Sequence, residues 1–262
     1  MARYPVFVVG SARSGTSAMV DALRVAGYNG FREGMFLTLI QKFEHLIDGH
    51  FSAFETGRKQ VLIGAIDKDQ FKQRIFEAVR QTVEDNNPKT PWLDKTGGPQ
   101  MISSLPVILR LWPDSAVIYS KRRGIENILS RVKKFPALKF EEHCIGWAQN
   151  MKAWRRVRAT LNKDAFVEVD QQDMIKQPEA VAAKLRTLLG LSEEQEKKMV
   201  TSMSSKRPQE TDAGSSSRTY SLESAKFSDE QVALFLKHCQ GEMDAYGYTL
   251  DESYRAAGAT RA

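Results

Sequence analysis

The sequence predicts an α/β protein with parallel strands and crossover helices on both faces. Three observations lead there. The apolar run Pro5-Val-Phe-Val-Val9 passes directly into a glycine-punctuated loop and then into a helix-forming stretch, Ala18 to Leu23. Short apolar runs and longer stretches of helical periodicity then alternate to about residue 191, as βα units do when each parallel strand needs a helical return. Finally, 42% hydrophobic and 27% charged residues in a chain of 262 suit one sizeable globular domain spanning residues 1–262.

After the first βα unit, Phe36 to Ile47 and Asp67 to Asn86 read as helices, the latter from Phe71, Ile75, Val79 and Val83 at helical spacing. Pro88 and Pro91 stop it, and Trp92 to Thr96 forms a short strand that ends at the Gly97-Gly98-Pro99 turn. A helix over Pro99 to Leu111 precedes a buried strand, Ala116 to Tyr119. Helices over 124–133 and Glu141 to Leu161, a strand over Ala165 to Val169 and a helix over Pro178 to Leu189 follow. Ser202 to Ser224 is polar, lacks an apolar period and reads as a long mobile loop. A helix over Phe227 to Tyr246 closes the chain, and 249–262 reads as a frayed tail.

No apolar stretch is long enough to span a bilayer. The first strand begins so early that a signal peptide has no room. Cys144 and Cys239 are far apart with no metal spacing, as free thiols of a cytoplasmic protein would be. The net charge of +6 suits a polyanionic partner. The basic clusters are scattered without interleaved aromatics, so nucleic acid is not the expected one.

The loop Gly10-Ser-Ala-Arg-Ser-Gly-Thr-Ser17 sits between strand and helix, where free backbone N–H groups and the helix dipole converge on an anion. Gly10, Gly15 and Ser17 have Walker A spacing, but Thr16 stands at the lysine position and Arg13 carries the charge. That moves the reading away from ATP or GTP. A second basic strand end, Ser120-Lys-Arg-Arg-Gly124, opens a helix and suits a second phosphate. Ser130 lies about two helical turns beyond Arg122.

The first loop resembles the 5′-phosphosulfate loop of sulfotransferases that use 3′-phosphoadenosine 5′-phosphosulfate (PAPS). The second site resembles that family's 3′-phosphate site, with Arg123-Gly124 where many members have Asn-Pro or Glu-Pro. Asp94-Lys95-Thr96-Gly97 resembles the Glu-Lys-Thr-Pro element of its carbohydrate-type members. The resemblance implies a three-layer α/β/α sandwich around a parallel sheet, as in P-loop nucleotide kinases, PAPS as co-substrate, and no required metal. Arg13, Ser14, Gly15, Thr16 and Ser17 would hold the 5′-phosphate, Arg122 and Ser130 the 3′-phosphate. Arg207 and Arg218, in a segment that closes over the nucleotide in relatives, would reach the same group. Lys95 would stabilise the leaving oxygen. Glu33, in Phe31-Arg-Glu-Gly-Met-Phe36, would be the general base, because no histidine stands beside Lys95. The four histidines read as structural or surface groups. The implied reaction moves a sulfuryl group to a hydroxyl of a carbohydrate or small-molecule acceptor. A P-loop kinase and a non-catalytic nucleotide-binding module remain open alternatives.

Overall fold

The computed structural model describes residues 2–54, 61–87, 89–205 and 218–256. Four strands, β1 (Val6–Gly10), β2 (Leu93–Lys95), β3 (Ala116–Lys121) and β4 (Phe166–Asp170), form one parallel sheet in the order β2-β1-β3-β4. The helices are α1 (Thr16–Val25), α2 (Leu39–Ala53), α3 (Lys68–Asp85), α4 (Pro99–Leu111) and α5 (Gly124–Lys134), then α6 (Phe140–Arg158), α7 (Gln171–Lys176), α8 (Pro178–Leu189), α9 (Glu193–Ser204) and α10 (Asp229–Ala245). None among the described residues is long and apolar enough to cross a membrane.

Side chains alternate across a strand, and the sheet has a core on each face. Val6, Val8, Ala116 and Ile118 pack with Met19 and Leu23 of α1, Leu185 of α8 and Met199 of α9. Phe7, Val9, Val117 and Tyr119 face the larger layer, where Ile102 of α4 and Trp147 and Trp154 of α6 are buried. The expected three-layer sandwich is therefore present. The chain leaves β1 for β2 on one side and returns to β3 on the other. Beyond the carboxyl ends of β1 and β3 lies the crevice where open α/β sheets bind ligands. The register sets Gly10 opposite Ser120, Val8 opposite Lys95 and Lys121 opposite Asp170.

Helix α7 was not expected from the sequence, and two further elements differ from expectation. Helix α9 covers residues up to Ser204, where the polar loop had been expected to begin at Ser202. Its start has a capping box between Ser192 and Gln195, and Met199 and Met203 are buried against the α1 layer. Residues 206–217 lie outside the described residues, but 218–224 is anchored. The Tyr220 N–H donates to Glu126 at 3.0 Å and the Leu222 N–H to the Leu250 carbonyl at 2.7 Å.

The stretch 249–256, expected to fray, is packed instead. Tyr248 and Tyr254 donate to the Asp170 carboxylate at 2.6 and 2.7 Å, and Arg255 pairs with Asp170 at 2.9 Å. The reason is Arg123. It is fully buried, ion-paired with Glu126, and donates to the carbonyls of Tyr220, Thr249 and Asp251. Its guanidinium lies over the Tyr254 ring. A buried guanidinium needs several acceptors, and the C-terminal backbone supplies them.

Candidate active site

Every candidate residue that the structure describes, Arg218 excepted, lies at or near the carboxyl edge of β1, β2 and β3. The loop after β1 is closed by Ser14, whose N–H and Oγ–H both donate to the Ser11 carbonyl, at 3.1 and 2.6 Å. Both Ser14 donors are thus engaged within the loop, which fixes its turn. Gly10 must be glycine, because a Cβ there would collide with the Ser120 carbonyl of the neighbouring strand. Arg13 adopts a left-handed backbone (φ 69°), uncommon outside glycine.

Helix α5 is stitched to this loop. Arg13 Nε–H donates to Ser130 Oγ at 3.0 Å, Asn127 Nδ2 to the Ala12 carbonyl at 3.0 Å, and Arg122 Nη1 to the Arg13 carbonyl at 3.4 Å. Arg131 Nη1 donates to Ser11 Oγ at 3.4 Å. Asn127 and Arg131 were not singled out from the sequence. Their signal was there, since 127, 130 and 131 fall on one face of a helix. The residues of the two expected phosphate sites are thus joined by direct hydrogen bonds.

Burial pulls the Arg13, Arg122 and Arg131 guanidinium groups down from their ordinary range, and for Arg122 the nearby Arg13 charge adds to it. Arg122 Nε, Arg131 Nε and Ser120 Oγ are buried with no hydrogen-bond partner among the described residues. Desolvated donors of this kind favour an anion rich in acceptor oxygens. A nucleotide with two phosphate groups fits that donor set.

The third group forms at β2. The Lys95 ammonium is ion-paired with the Glu33 carboxylate and donates to Ser17 Oγ at 3.4 Å. Glu33 itself is largely exposed. Its loop is fastened to β2 by the Gly34 N–H on the Lys95 carbonyl at 3.0 Å and the Met35 N–H on Thr96 Oγ1 at 2.8 Å. Thr96 Oγ1–H donates on to Asp94 at 2.8 Å. A Cβ on Gly34 would collide with the Asp94 carboxylate, so the loop closes only with glycine there. Burial raises the Asp94 carboxyl to about 6; the Thr96 hydrogen bond opposes this and the Glu33 charge reinforces it. Asp94 is a half-buried acid that sequence reading left without a role.

Arg207 lies outside the described residues. Arg218 is exposed, next to Thr219, whose hydroxyl accepts from Gln172 at 3.1 Å. Among the histidines, His143 is buried on α6, and His238 of α10 contacts Glu141 of α6 at 2.6 Å.

Known structures share this architecture. Sulfotransferase STF9 from Mycobacterium avium superposes with a TM-score of 0.54 at 12% identity, covering 96% of this chain and 79% of that one. Sulfotransferase STF1 from Mycobacterium tuberculosis gives 0.51 at 17% identity, with 90% and 77% covered. The sulfotransferase domain of the Synechococcus PCC 7002 olefin synthase gives 0.52 at 15% identity, with 80% of each chain covered. At these identities the likeness speaks for the fold. No curated protein matches the chain. The family model described as the sulfotransferase family matches residues 5–195, well over half of the 262 residues, and the chain belongs to the sulfotransferase family.

Proposed function

We propose that this sulfotransferase uses PAPS as donor and a hydroxyl on a carbohydrate or small molecule as acceptor. The observation that carries the reading is Lys95, held between Glu33 and Ser17 of the phosphate loop. One ammonium bridges the proposed base and the proposed leaving-group site.

Backbone N–H groups of Arg13 and of Gly15 to Ser17, with the Arg13 side chain, would hold the 5′-phosphate, with Arg122, Ser130 and Asn127 around the 3′-phosphate. Glu33 takes the acceptor proton as the hydroxyl oxygen bonds to sulfur. The bond between sulfur and the bridging oxygen of the 5′-phosphate breaks, and Lys95 meets the charge that develops on that oxygen. The products are a sulfate ester and adenosine 3′,5′-bisphosphate, with the proton on Glu33. A P-loop kinase would want a lysine at Thr16 and an acid at the end of β3, where the chain has Lys121, Arg122 and Arg123.

Calorimetry tests the donor. Adenosine 3′,5′-bisphosphate should bind at least about ten-fold more tightly than AMP, the effect of one charge-assisted phosphate contact. Equal affinities would remove the 3′-phosphate site and the PAPS assignment with it.

A further inference from the structure

We propose, resting on the reading of Glu33 as base, that the acceptor hydroxyl is carried on an apolar body gripped by Phe31 and Met35. The loop that holds Glu33 is fixed across the end of β2 by the Gly34 and Met35 hydrogen bonds and by the Lys95 ion pair. Its position beside the reacting groups is therefore set by three separate contacts. Within it, Phe31 is 57% exposed, Met35 63% and Phe36 40%. A molecule whose hydroxyl reaches Glu33 passes over these side chains.

Met35 adds a second, independent sign. Its backbone is left-handed (φ 61°), strained for a residue with a side chain, yet the thioether projects into solvent. Folding gains little apolar burial from Met35, so the strain is not offset by core packing. Strain that surrounding contacts hold in place is concentrated at ligand sites.

Of the 15 exposed large apolar side chains among the described residues, 9 fall between Phe31 and Phe71, including Leu46, Phe54 and Leu62. In the loop that carries Glu33, Phe31, Met35 and Phe36 are exposed beside the single cation Arg32, whereas the donor side carries Arg13, Arg122 and Arg131. A free sugar has little apolar area with which to cover Phe31 and Met35, so it gains little from them. An aliphatic or polycyclic alcohol meets the surface with one hydroxyl to spare for Glu33.

The experiment offers the full chain PAPS with dodecanol or with methyl glucoside and measures the sulfate ester by mass spectrometry. Dodecanol should show the higher kcat/KM, by at least about ten-fold. In Phe31→Gln and Met35→Gln, the KM for dodecanol should rise about 10- to 100-fold, the effect of losing one buried apolar side chain, while the KM for PAPS stays unchanged. Equal or better turnover of the glucoside, or an unchanged dodecanol KM in both variants, overturns the apolar acceptor and leaves the sulfotransferase reading standing. Loss of adenosine 3′,5′-bisphosphate binding in the unmodified protein would instead overturn the donor reading, and this inference with it.

Discussion

Arg13 Nε–H donates to Ser130 Oγ at 3.0 Å, across 117 positions of chain. A residue of the proposed 5′-phosphate loop is thus oriented by a residue of the proposed 3′-phosphate site. The two sites are coupled through the protein before any ligand contact.

Ser130→Ala should therefore weaken AMP binding as well as adenosine 3′,5′-bisphosphate binding, by about 0.5–1.5 kcal/mol, although AMP has no 3′-phosphate. Combined with Arg13→Ala, it should show a coupling of at least about 0.5 kcal/mol. Calorimetry of the four proteins measures this, and strict additivity would mean that the sites act independently. Arg122→Ala should affect only the bisphosphate strongly, by about 1.5–3 kcal/mol.

Glu33→Gln keeps the shape of the side chain and removes the base. Turnover should fall by roughly 10²–10⁴-fold with affinity for adenosine 3′,5′-bisphosphate unchanged. Lys95→Ala should lower turnover and weaken the nucleotide too, since its ammonium touches Ser17 of the phosphate loop. Steady-state rates beside calorimetry separate the two, and near-normal turnover in folded Glu33→Gln would remove Glu33 as the base.

Asp94 should leave a mark on stability. Burial raises its carboxyl to about 6 in the folded protein, against about 3.9 in an unfolded chain. The folded state then holds the proton more tightly, so this contribution to stability is present below about pH 4. It is lost as the pH rises to about 6, a span worth about 2–3 kcal/mol. Asp94→Asn cannot titrate and should lack that decline. Urea denaturation of both proteins at about pH 4 and about pH 7 tests it, and parallel pH curves would sink the assignment.

Arg123→Ala should be the most damaging single change outside the site. It leaves Glu126 buried without its cation and frees the carbonyls of Thr249 and Asp251. Breaking a buried pair by removing one partner destabilises by about 3–5 kcal/mol. Chemical denaturation should report a loss of that order, and protease should cut within 249–256 first. A loss under about 1 kcal/mol would mean that the segment is held by its tyrosines alone.

What could be read from the sequence follows how local each signal is. The loop 10–17 and its strand and helix are contiguous, so motif and periodicity sufficed. The order of the sheet was not readable, yet it is what sets Lys95 beside Ser17 and Glu33; their association came through family resemblance. Asn127 and Arg131 shared a helix face with Ser130 and were legible in principle. The clasp around Arg123 was not, because its partners are main-chain carbonyls, which leave no residue signature. The tail looked polar and loose for the same reason.

The Lys95–Glu33 ion pair has a kinetic consequence. The ammonium that holds the carboxylate proposed as base is the same one that reaches Ser17 of the phosphate loop. An anionic donor settling beside Ser17 competes for the same ammonium. Under the roles proposed for Lys95 and Glu33, nucleotide arrival would draw the ammonium from the carboxylate to the phosphate loop. The expected order of addition is then donor before acceptor, which product-inhibition patterns with adenosine 3′,5′-bisphosphate would check.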